Sequence, residues 1–300
     1  MNLLFFLLPL FFSPLLLSVI NKTKARFAGR RGPRWLQPYW DLSKLLRKDA
    51  VYSRTTSFIF RLSPLACLAA VLTALLFLPT AGFQAPFSFE GDMIVLAAFL
   101  GFSRFFTVLA ALDTGSSFEG MGASREIFFS SLGEPIFFLV LLALHRLGGT
   151  LSLSPALIHL NGAAWAQNGP ALVLLSVSLF VILLTENSRI PVDDPNTHLE
   201  LTMIHEVMVL DNSGPDLALV EYASCLKLWI FSSMLTGFLS PWKGTGIADL
   251  FSYGIILAAV AAGVGIVESL MARLKMSRVP FFICGAAVTA ILAMTRIFWR

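Results

Sequence analysis

Long apolar runs are the feature that most constrains the fold of this 300-residue chain. Hydrophobic residues make up 56% of it and charged residues 13%, about half the charged share of an ordinary soluble domain. Several runs approach or exceed the roughly 18 residues that indicate a bilayer-spanning helix. The runs are continuous rather than alternating, which argues against a transmembrane β-barrel. The sequence therefore predicts an all-α integral membrane protein.

The hydropathy pattern predicts a single polytopic membrane domain over residues 1–300, with eight membrane-spanning helices. The predicted spans are 3–20, 62–81, 93–112, 127–147, 170–184, 223–239, 250–270 and 279–298. The fifth span is short, and we expect it to begin in the preceding loop. The first span lacks the basic start and the cleavage site of a signal peptide, so we expect it to be retained as a helix.

Lysine and arginine are distributed unevenly between the loops on the two sides of these spans. The segment 21–61 holds eleven of them and the later loops on the same side add five, whereas the opposite side holds four. Basic residues are retained on the cytoplasmic side of a membrane. We therefore expect a multi-pass protein of the inner (cytoplasmic) membrane with both termini outside and cytoplasmic loops at about 21–61, 113–126, 185–222 and 271–278. This bias explains the pI near 9.1 without a nucleic-acid partner.

The first cytoplasmic loop contains an amphipathic segment, `RGPRWLQPYWDLSKLLRKDAV`. It predicts an interfacial helix from about Tyr39, with Trp40, Leu42 and Leu45 on the apolar face and basic residues opposite. Two interpretations remain open: a helix that lies on the lipid surface without a further role, or a docking surface for a cytoplasmic partner.

Acidic residues concentrate on the cytoplasmic side, above all in `TENSRIPVDDPNTHLELTMIHEV`, residues 185–207. Pro191 and Pro195 interrupt any helix there, and we expect a helix to restart at about residue 196 or 197. Carboxylates at the edge of a membrane raise one another's pKa by repulsion and loss of hydration, and groups tuned in this way can relay protons. Glu134 is expected inside the fourth span, either as such a group or as the counter-ion of Arg104.

The chain carries no recognisable signature of covalent or metal chemistry. His198, Glu200, His205 and Glu206 lack the H-E-x-x-H spacing of a zinc site and the second copy that a di-iron site needs. Cys67, Cys225 and Cys284 are far apart and form no cluster motif. Gly-rich phosphate loops and nucleophile elbows are also missing from the sequence. We therefore expect no catalytic residue, bound metal or cofactor in this chain.

Three segments resemble one known family: `ARFAGRRGPRWLQPYWDLSKLLRKD`, `ALDTGSSFEGMGASRE` and `ENSRIPVDDPNTHLELTMIHEVMVLDNSGPDLALVEYASCLKLW`. They are similar to the membrane subunit shared by respiratory complex I (subunit 1 of the mitochondrial enzyme and its bacterial equivalent) and group 4 membrane-bound [NiFe] hydrogenases, including formate hydrogenlyase. The second segment and `LTMIHEVMVLDNSGPDLA` resemble the hydrogenase branch more closely. Asn196 and His198 stand where the complex I pattern has acids, so the chain departs from the quinone-linked branch there.

The resemblance implies a non-redox anchor that binds no cofactor itself. Partners would be a small subunit with an iron–sulfur cluster, a large subunit with a [NiFe] site or its remnant, antiporter-like membrane subunits and lipid. It implies a proton-conducting acidic funnel lined by Glu186, Asp193, Glu200 and Glu206. Depth and charge add Glu119, Glu134, Glu221 and Glu268 to this pathway. Docking of the partner arm is expected at Arg30, Arg31, Arg34, Gln37 and Arg189. The rival functions are a complex I-type quinone-site subunit and a free-standing ion transporter.

Overall fold

The computed structural model of the chain describes residues 2–194, 203–240, 244 and 246–299. Within these residues it contains α-helices and one 3₁₀ helix (Met276–Arg278), and no strand of a sheet. The α-helices are α1 (Asn2–Phe27), α2 (Gln37–Leu46), α3 (Phe58–Leu75), α4 (Asp92–Asp113), α5 (Ser117–Gly148), α6 (Leu153–His159), α7 (Gly162–Glu186), α8 (His205–Met208), α9 (Gly214–Leu239), α10 (Ile247–Leu270) and α11 (Val279–Phe298).

Eight of the described helices are long and apolar enough to cross a membrane: α1, α3, α4, α5, α7, α9, α10 and α11. The all-α membrane class and the predicted number of spans are therefore confirmed. The fifth span does begin in the preceding loop, because α7 starts at Gly162 and continues through a kink at Asn168 before Pro170. A proline without an N–H and with a fixed φ accounts for a kink at this position.

Helix α9 lies at the centre of the bundle. It packs against α1, α2, α3, α7 and α10, and 67% of its most apolar window is buried. Its buried hydroxyl groups are satisfied locally: Thr236 donates to the carbonyl of Ser232 at 2.8 Å, and Tyr253 on α10 donates to Ser233 at 2.6 Å. The outer helices expose Phe11, Leu65 and Phe281, as expected of a surface that faces lipid.

The predicted cytoplasmic loop 113–126 is much shorter in the structure. Helix α5 already begins at Ser117, which leaves only residues 114–116 between α4 and α5. The glycines and serines of this segment favour turns. Glu119, however, lies in the first turn of α5, where its charge favours the helix N-terminus. Gly122 and Ala123 are buried against α8, so tertiary packing outweighs the weak helix propensity of the segment.

The predicted loop 185–222 also ends earlier, because α9 starts at Gly214. Ser213, which precedes the helix, accepts a hydrogen bond from the amide of Val51 at 2.9 Å and donates to its carbonyl at 3.1 Å. Gly214 has a φ of +55°, and an added Cβ would lie 2.7 Å from the carbonyl oxygen of Asp49. Glycine is required here so that the segment after α2 can contact the beginning of α9.

Candidate functional site

The segment that follows α7 turns into the bundle instead of extending from it. Residues 187–193 are buried, and the carbonyl of Pro191 accepts a hydrogen bond from the amide of Leu274 at 2.9 Å. Ser188 has a φ of +50°, the left-handed backbone of a tight turn. The acidic segment predicted to form the mouth of a funnel therefore begins inside the protein.

Asp193 fixes the position of α8. Its side chain is 1% exposed and pairs with Arg273 at 2.7 Å. The same carboxylate accepts hydrogen bonds from the backbone amides of Ile204 and His205, each at 3.1 Å. A helix was predicted to begin at residue 196 or 197, and residues 195–202 lie outside the described part of the chain. Residues 203 and 204 are not helical, so α8 begins only at His205, where Asp193 satisfies its free amides.

Five ionisable side chains from four membrane-spanning helices meet in the bundle and form what we call the central cluster. Its members are Arg104 of α4, Glu126 and Glu134 of α5, Glu186 of α7 and Lys227 of α9. Arg104 contacts Glu186 at 2.5 Å and Glu126 at 3.5 Å, and it donates a hydrogen bond to Glu134. Lys227 contacts Glu186 at 2.9 Å.

The central cluster contains more carboxylates than cations. Three acids face two basic side chains among the residues that the structure describes. Glu186 and Arg104 expose 6% and 9% of their side chains, so most of this charge is withdrawn from solvent. A buried charge is tolerated only when it is paired and hydrogen-bonded. The third carboxylate therefore favours the uptake of one positive charge, either a proton or a cation.

His205 lies between the central cluster and a larger cavity. It lines a small cavity of about 30 Å³ together with Arg104, Glu186 and Lys227. It also lines a cavity of about 570 Å³ whose wall includes Glu206. Burial lowers the pKa of His205 to about 4, and the charge of Lys227 acts in the same direction. The imidazole is therefore neutral at pH 7, with one ring nitrogen able to donate a hydrogen bond and the other able to accept one.

The large cavity is enclosed mainly by α1, α2 and α9. Leu17, Leu42, Leu217 and other aliphatic side chains form its apolar walls. Its polar walls are formed by Asp41, Lys44, Lys48, Arg189, Glu206 and Glu221. A volume of this size and mixed lining suits an amphiphilic molecule or a group of water molecules. Glu206 and Glu221, both predicted pathway residues, thus face one chamber.

A second buried ion group connects α1, α10 and the segment after α7. Glu268 on α10 pairs with Lys24 on α1 at 2.8 Å and with Arg189 at 3.5 Å, and its side chain is fully buried. Arg189, predicted as a docking residue, therefore points into the protein towards Glu268. Arg30, Arg31 and Arg34 are exposed between α1 and α2.

The remaining predicted residues have separate positions. Gln37 begins α2, lines the large cavity and donates to Asp41 at 2.8 Å. Glu119 is buried and accepts a hydrogen bond from the amide of Asp211 at 3.2 Å, so it holds the segment before α9 against α5. Glu200, together with Asn196 and His198, lies outside the described residues.

Sequence reasoning did not include Arg104, Glu126, Lys227 and His205 among the site residues. A signal existed for Arg104 and Lys227, because an ionisable residue inside a predicted span is a functional candidate. The sequence offered Glu134 as a possible counter-ion of Arg104, and the structure contains this contact. Arg104 also contacts Glu126 and Glu186. Within the described ranges, His, Cys, Asp and Glu side chains form no group that could hold a metal ion.

The fold and the site define a polytopic all-α membrane protein with a buried ionic cluster beside a polar chamber. Comparison with known proteins shows the family: the chain matches the family described as NADH dehydrogenase across residues 1–299, and it belongs to that family. The resemblance stated from the sequence motifs is thereby confirmed.

Among curated relatives, the chain is 30% identical to formate hydrogenlyase subunit 4 of Escherichia coli (strain K12), over 89% of this chain and 88% of the relative. It is 32% identical to hydrogenase-4 component C of the same organism, over 84% and 77% of the two chains. NADH-ubiquinone oxidoreductase chain 1 of Candida albicans is 27% identical over 72% and 68%. A chain from the membrane-bound sulfane sulfur reductase, an archaeal respiratory membrane complex, shares the fold, with a TM-score of 0.83, 20% identity and coverage of 97% and 98%.

Proposed function

We propose that this chain is the membrane-anchor and coupling subunit of a multi-subunit redox complex of the membrane-bound hydrogenase type. The observation that carries the proposal is the central cluster, whose unequal charges adjoin His205 and the large cavity. In this proposal, electron transfer in a peripheral arm changes the protonation or ion occupancy of the cluster. The chain itself carries out no redox step.

The exposed arginines support a docking site for the peripheral arm. The connection between α1 and α2 contains Arg30, Arg31 and Arg34. It leads directly into α2, which forms one wall of the large cavity. A small subunit that carries an iron–sulfur cluster, bound to a large hydrogenase-like subunit, would dock there through complementary acidic side chains. The names of two relatives, which are components of hydrogenase or hydrogenlyase systems, support partner subunits of this kind in general.

Proton transfer between the large cavity and the central cluster requires a short series of groups. Glu206 and His205 line the cavity, and His205 also lines the small cavity beside Glu186. A cavity of about 30 Å³ has room for a water molecule between these polar groups. Asp193 contributes by holding the backbone of His205 in place. Glu200 is included in the pathway from the resemblance.

The substitution Glu186→Gln tests the coupling role. It removes the carboxylate that both Arg104 and Lys227 contact, while the amide retains nearly the same shape. We expect the complex to assemble and the peripheral arm to keep its electron-transfer rate with artificial electron donors and acceptors. Proton or sodium translocation in inverted membrane vesicles should fall by roughly tenfold or more, because the amide can neither exchange a proton nor attract a cation by charge. A proton-sensitive dye and a ²²Na⁺ uptake measurement distinguish the two ions.

Glu90→Gln is the matched control, because Glu90 is an exposed carboxylate in the connection between α3 and α4. It should leave both activities unchanged. Equal loss of electron transfer and ion translocation in Glu186→Gln would instead assign Glu186 to assembly, and unchanged translocation would contradict the coupling proposal.

The large cavity favours a second candidate, a quinone-site subunit of a complex I-type dehydrogenase. Its apolar and polar walls are suitable for a head group with a hydrocarbon tail. Leu42→Trp would narrow this cavity. A loss of quinone reduction in the purified complex, with ion translocation driven by a quinone-independent acceptor retained, would support the quinone role over the hydrogenase-type role.

A further inference from the structure

Glu134 is the member of the central cluster that opens onto the outside of the helix bundle. Its side chain is 47% exposed, compared with 12% for Glu126 and 6% for Glu186. Its partner Arg104 lies about 18 Å from one end of α4 and about 14 Å from the other, at 1.5 Å per residue. A half-exposed carboxylate therefore sits at the depth of the hydrocarbon core.

The surface around Glu134 is otherwise apolar and continuous across two helices. On α5, Ile127, Phe138 and Leu142 lie on the same side as Glu134 and are 45–50% exposed. On α4, a Cβ added to Gly101 would lie 3.8 Å from Glu134 Oε1, and Phe105 one turn later is 54% exposed. We call this surface the Glu134 face. Lipid tails can cover the aromatic and aliphatic side chains of this face, but they form no hydrogen bond or ion pair with the carboxylate.

We infer that the Glu134 face binds a membrane-spanning helix of a neighbouring subunit that presents a cationic or hydrogen-bond-donating side chain to Glu134. Charge complementarity is the reason for choosing a helix with such a side chain as the partner of this face. The central cluster has three carboxylates for two cations among the described residues, and Glu134 is the acid that a partner can reach. Gly101 places no side chain beside the carboxylate, and small residues of this kind are common at helix contacts in membranes.

The inference rests on the proposed function to the extent that the chain is a subunit of a complex, but it does not depend on ion coupling. Without a partner helix, Glu134 would keep its contact with Arg104 but leave the exposed part of its carboxylate against hydrocarbon. A partner helix would both shield it and extend the ionic network beyond this chain.

Photocrosslinking in the native complex tests the contact directly. A benzoylphenylalanine placed at Phe138, one turn from Glu134, crosslinks whatever covers the Glu134 face. The same probe at Ile255 on α10 is the control, because Ile255 is 68% exposed and lies at a comparable depth. We expect Phe138 to crosslink to one other membrane subunit of the purified complex, in much higher yield than Ile255 does. Peptide mapping should place the adduct in a membrane-spanning segment beside a Lys, Arg, His or other donor side chain.

Substitution of Glu134 separates polar recognition from general packing. Glu134→Leu should lower the amount of that subunit in the purified complex by at least roughly tenfold, because the donor on the partner would be left unpaired. Glu134→Gln should retain it. Arg104 keeps Glu126 and Glu186 in both variants, so the amount of this chain in the membrane should not change.

Three results would overturn the inference: adducts with lipid alone, adducts with a second copy of this chain, or adducts with a wholly apolar helix. Equal loss of the partner in the Leu and Gln variants would also contradict it, since the amide keeps the hydrogen-bonding groups. These outcomes are independent of the Glu186→Gln experiment, which measures ion coupling in an assembled complex.

Discussion

Arg104 shows how one residue can organise the interior of a membrane protein. It reaches Glu186 from a position 82 residues away in the sequence and Glu134 from 30 residues away. Its planar guanidinium carries several donors, which a lysine's ammonium could not direct to separate carboxylates in the same way. Removal of one partner of a buried ion pair costs about 3–5 kcal/mol. This cost arises because an uncompensated charge is left buried. The same charges are those on which the proposed function depends.

His205 makes the stability of the folded chain sensitive to acid. Its pKa is lowered from 6.5 to about 4 by burial, with Lys227 and Arg104 acting in the same direction and Asp193 and Glu186 opposing them. The unfolded chain therefore binds the additional proton as the pH falls from about 6.5 to about 4. The contribution of neutral His205 to stability is present above pH 6.5 and is lost across this window, by roughly 3 kcal/mol for a displacement of this size.

We expect His205→Gln to flatten the pH dependence of thermal unfolding between pH 4 and 6.5, because glutamine does not titrate. The loss of helical circular dichroism on heating the purified protein in detergent measures the effect at each pH. His159→Gln is the control, since His159 is exposed and its substitution should leave the profile unchanged. An unchanged acid sensitivity in His205→Gln would assign the transition to other groups.

At the level of single residues, the sequence could predict which positions are unusual but not which of them meet. Arg104 and Lys227 stand out because each interrupts an apolar run. Their common partner Glu186 follows from helix packing between α4, α7 and α9, and no local pattern encodes that contact. Arg189 is the clearest example: the family resemblance implied a docking residue, whereas the structure buries it against Glu268.

Among the helices, boundaries were predictable where hydropathy changes sharply. Residues 279–298 were predicted as a span, and α11 is Val279–Phe298. Helix α5 begins earlier than predicted because its first ten residues are rich in Gly and Ser, and apolar periodicity does not reveal a helix of this kind. The first turns of α5 pack against α8 around Gly122, and Asp193 holds the beginning of α8 in place.

Gly122 allows the close contact between α5 and α8. A Cβ at this position would lie 2.2 Å from Val207 Cγ1 and 2.9 Å from the carbonyl oxygen of Ile204. We expect Gly122→Ala to force α8 away from α5 and to lower the free energy of unfolding by about 1–3 kcal/mol, as overpacking does in other cores. The displaced α8 would carry His205 with it, so ion translocation should decrease as well.

Gly120→Ala provides a matched control in the same helix, because a Cβ there has no atom within 4 Å. Alanine favours a helix over glycine, so this variant should be as stable as the parent or slightly more stable. Thermal unfolding in detergent compares the two variants. If Gly122→Ala matched Gly120→Ala in stability, the close approach of α5 and α8 would not be a constraint on the fold.

At the scale of the whole molecule, the charged residues and the large cavity are concentrated at one end of the helix bundle, which we call the polar end. The basic segment between α1 and α3, the buried segment after α7 and the large cavity all lie towards this end. The opposite end is held by different contacts: Asp92 at the start of α4 accepts hydrogen bonds from the hydroxyl of Ser152 and the amide of Leu153, both at 2.6 Å. One end thus carries the exposed basic residues and the large cavity, and the other is closed by local capping.

The positive-inside rule predicts that the polar end faces the cytoplasm and that both termini are outside. Single-cysteine labelling with a membrane-impermeant maleimide tests this orientation in a Cys284→Ala background, because Cys284 is exposed whereas Cys67 and Cys225 are buried. Glu90→Cys should be labelled in intact spheroplasts, because Glu90 is exposed and precedes α4 at the end that the rule places outside. Arg30→Cys should be labelled only after the membrane is opened. The reverse pattern would place the large cavity and the exposed arginines outside the cell, where a cytoplasmic redox arm could not reach them.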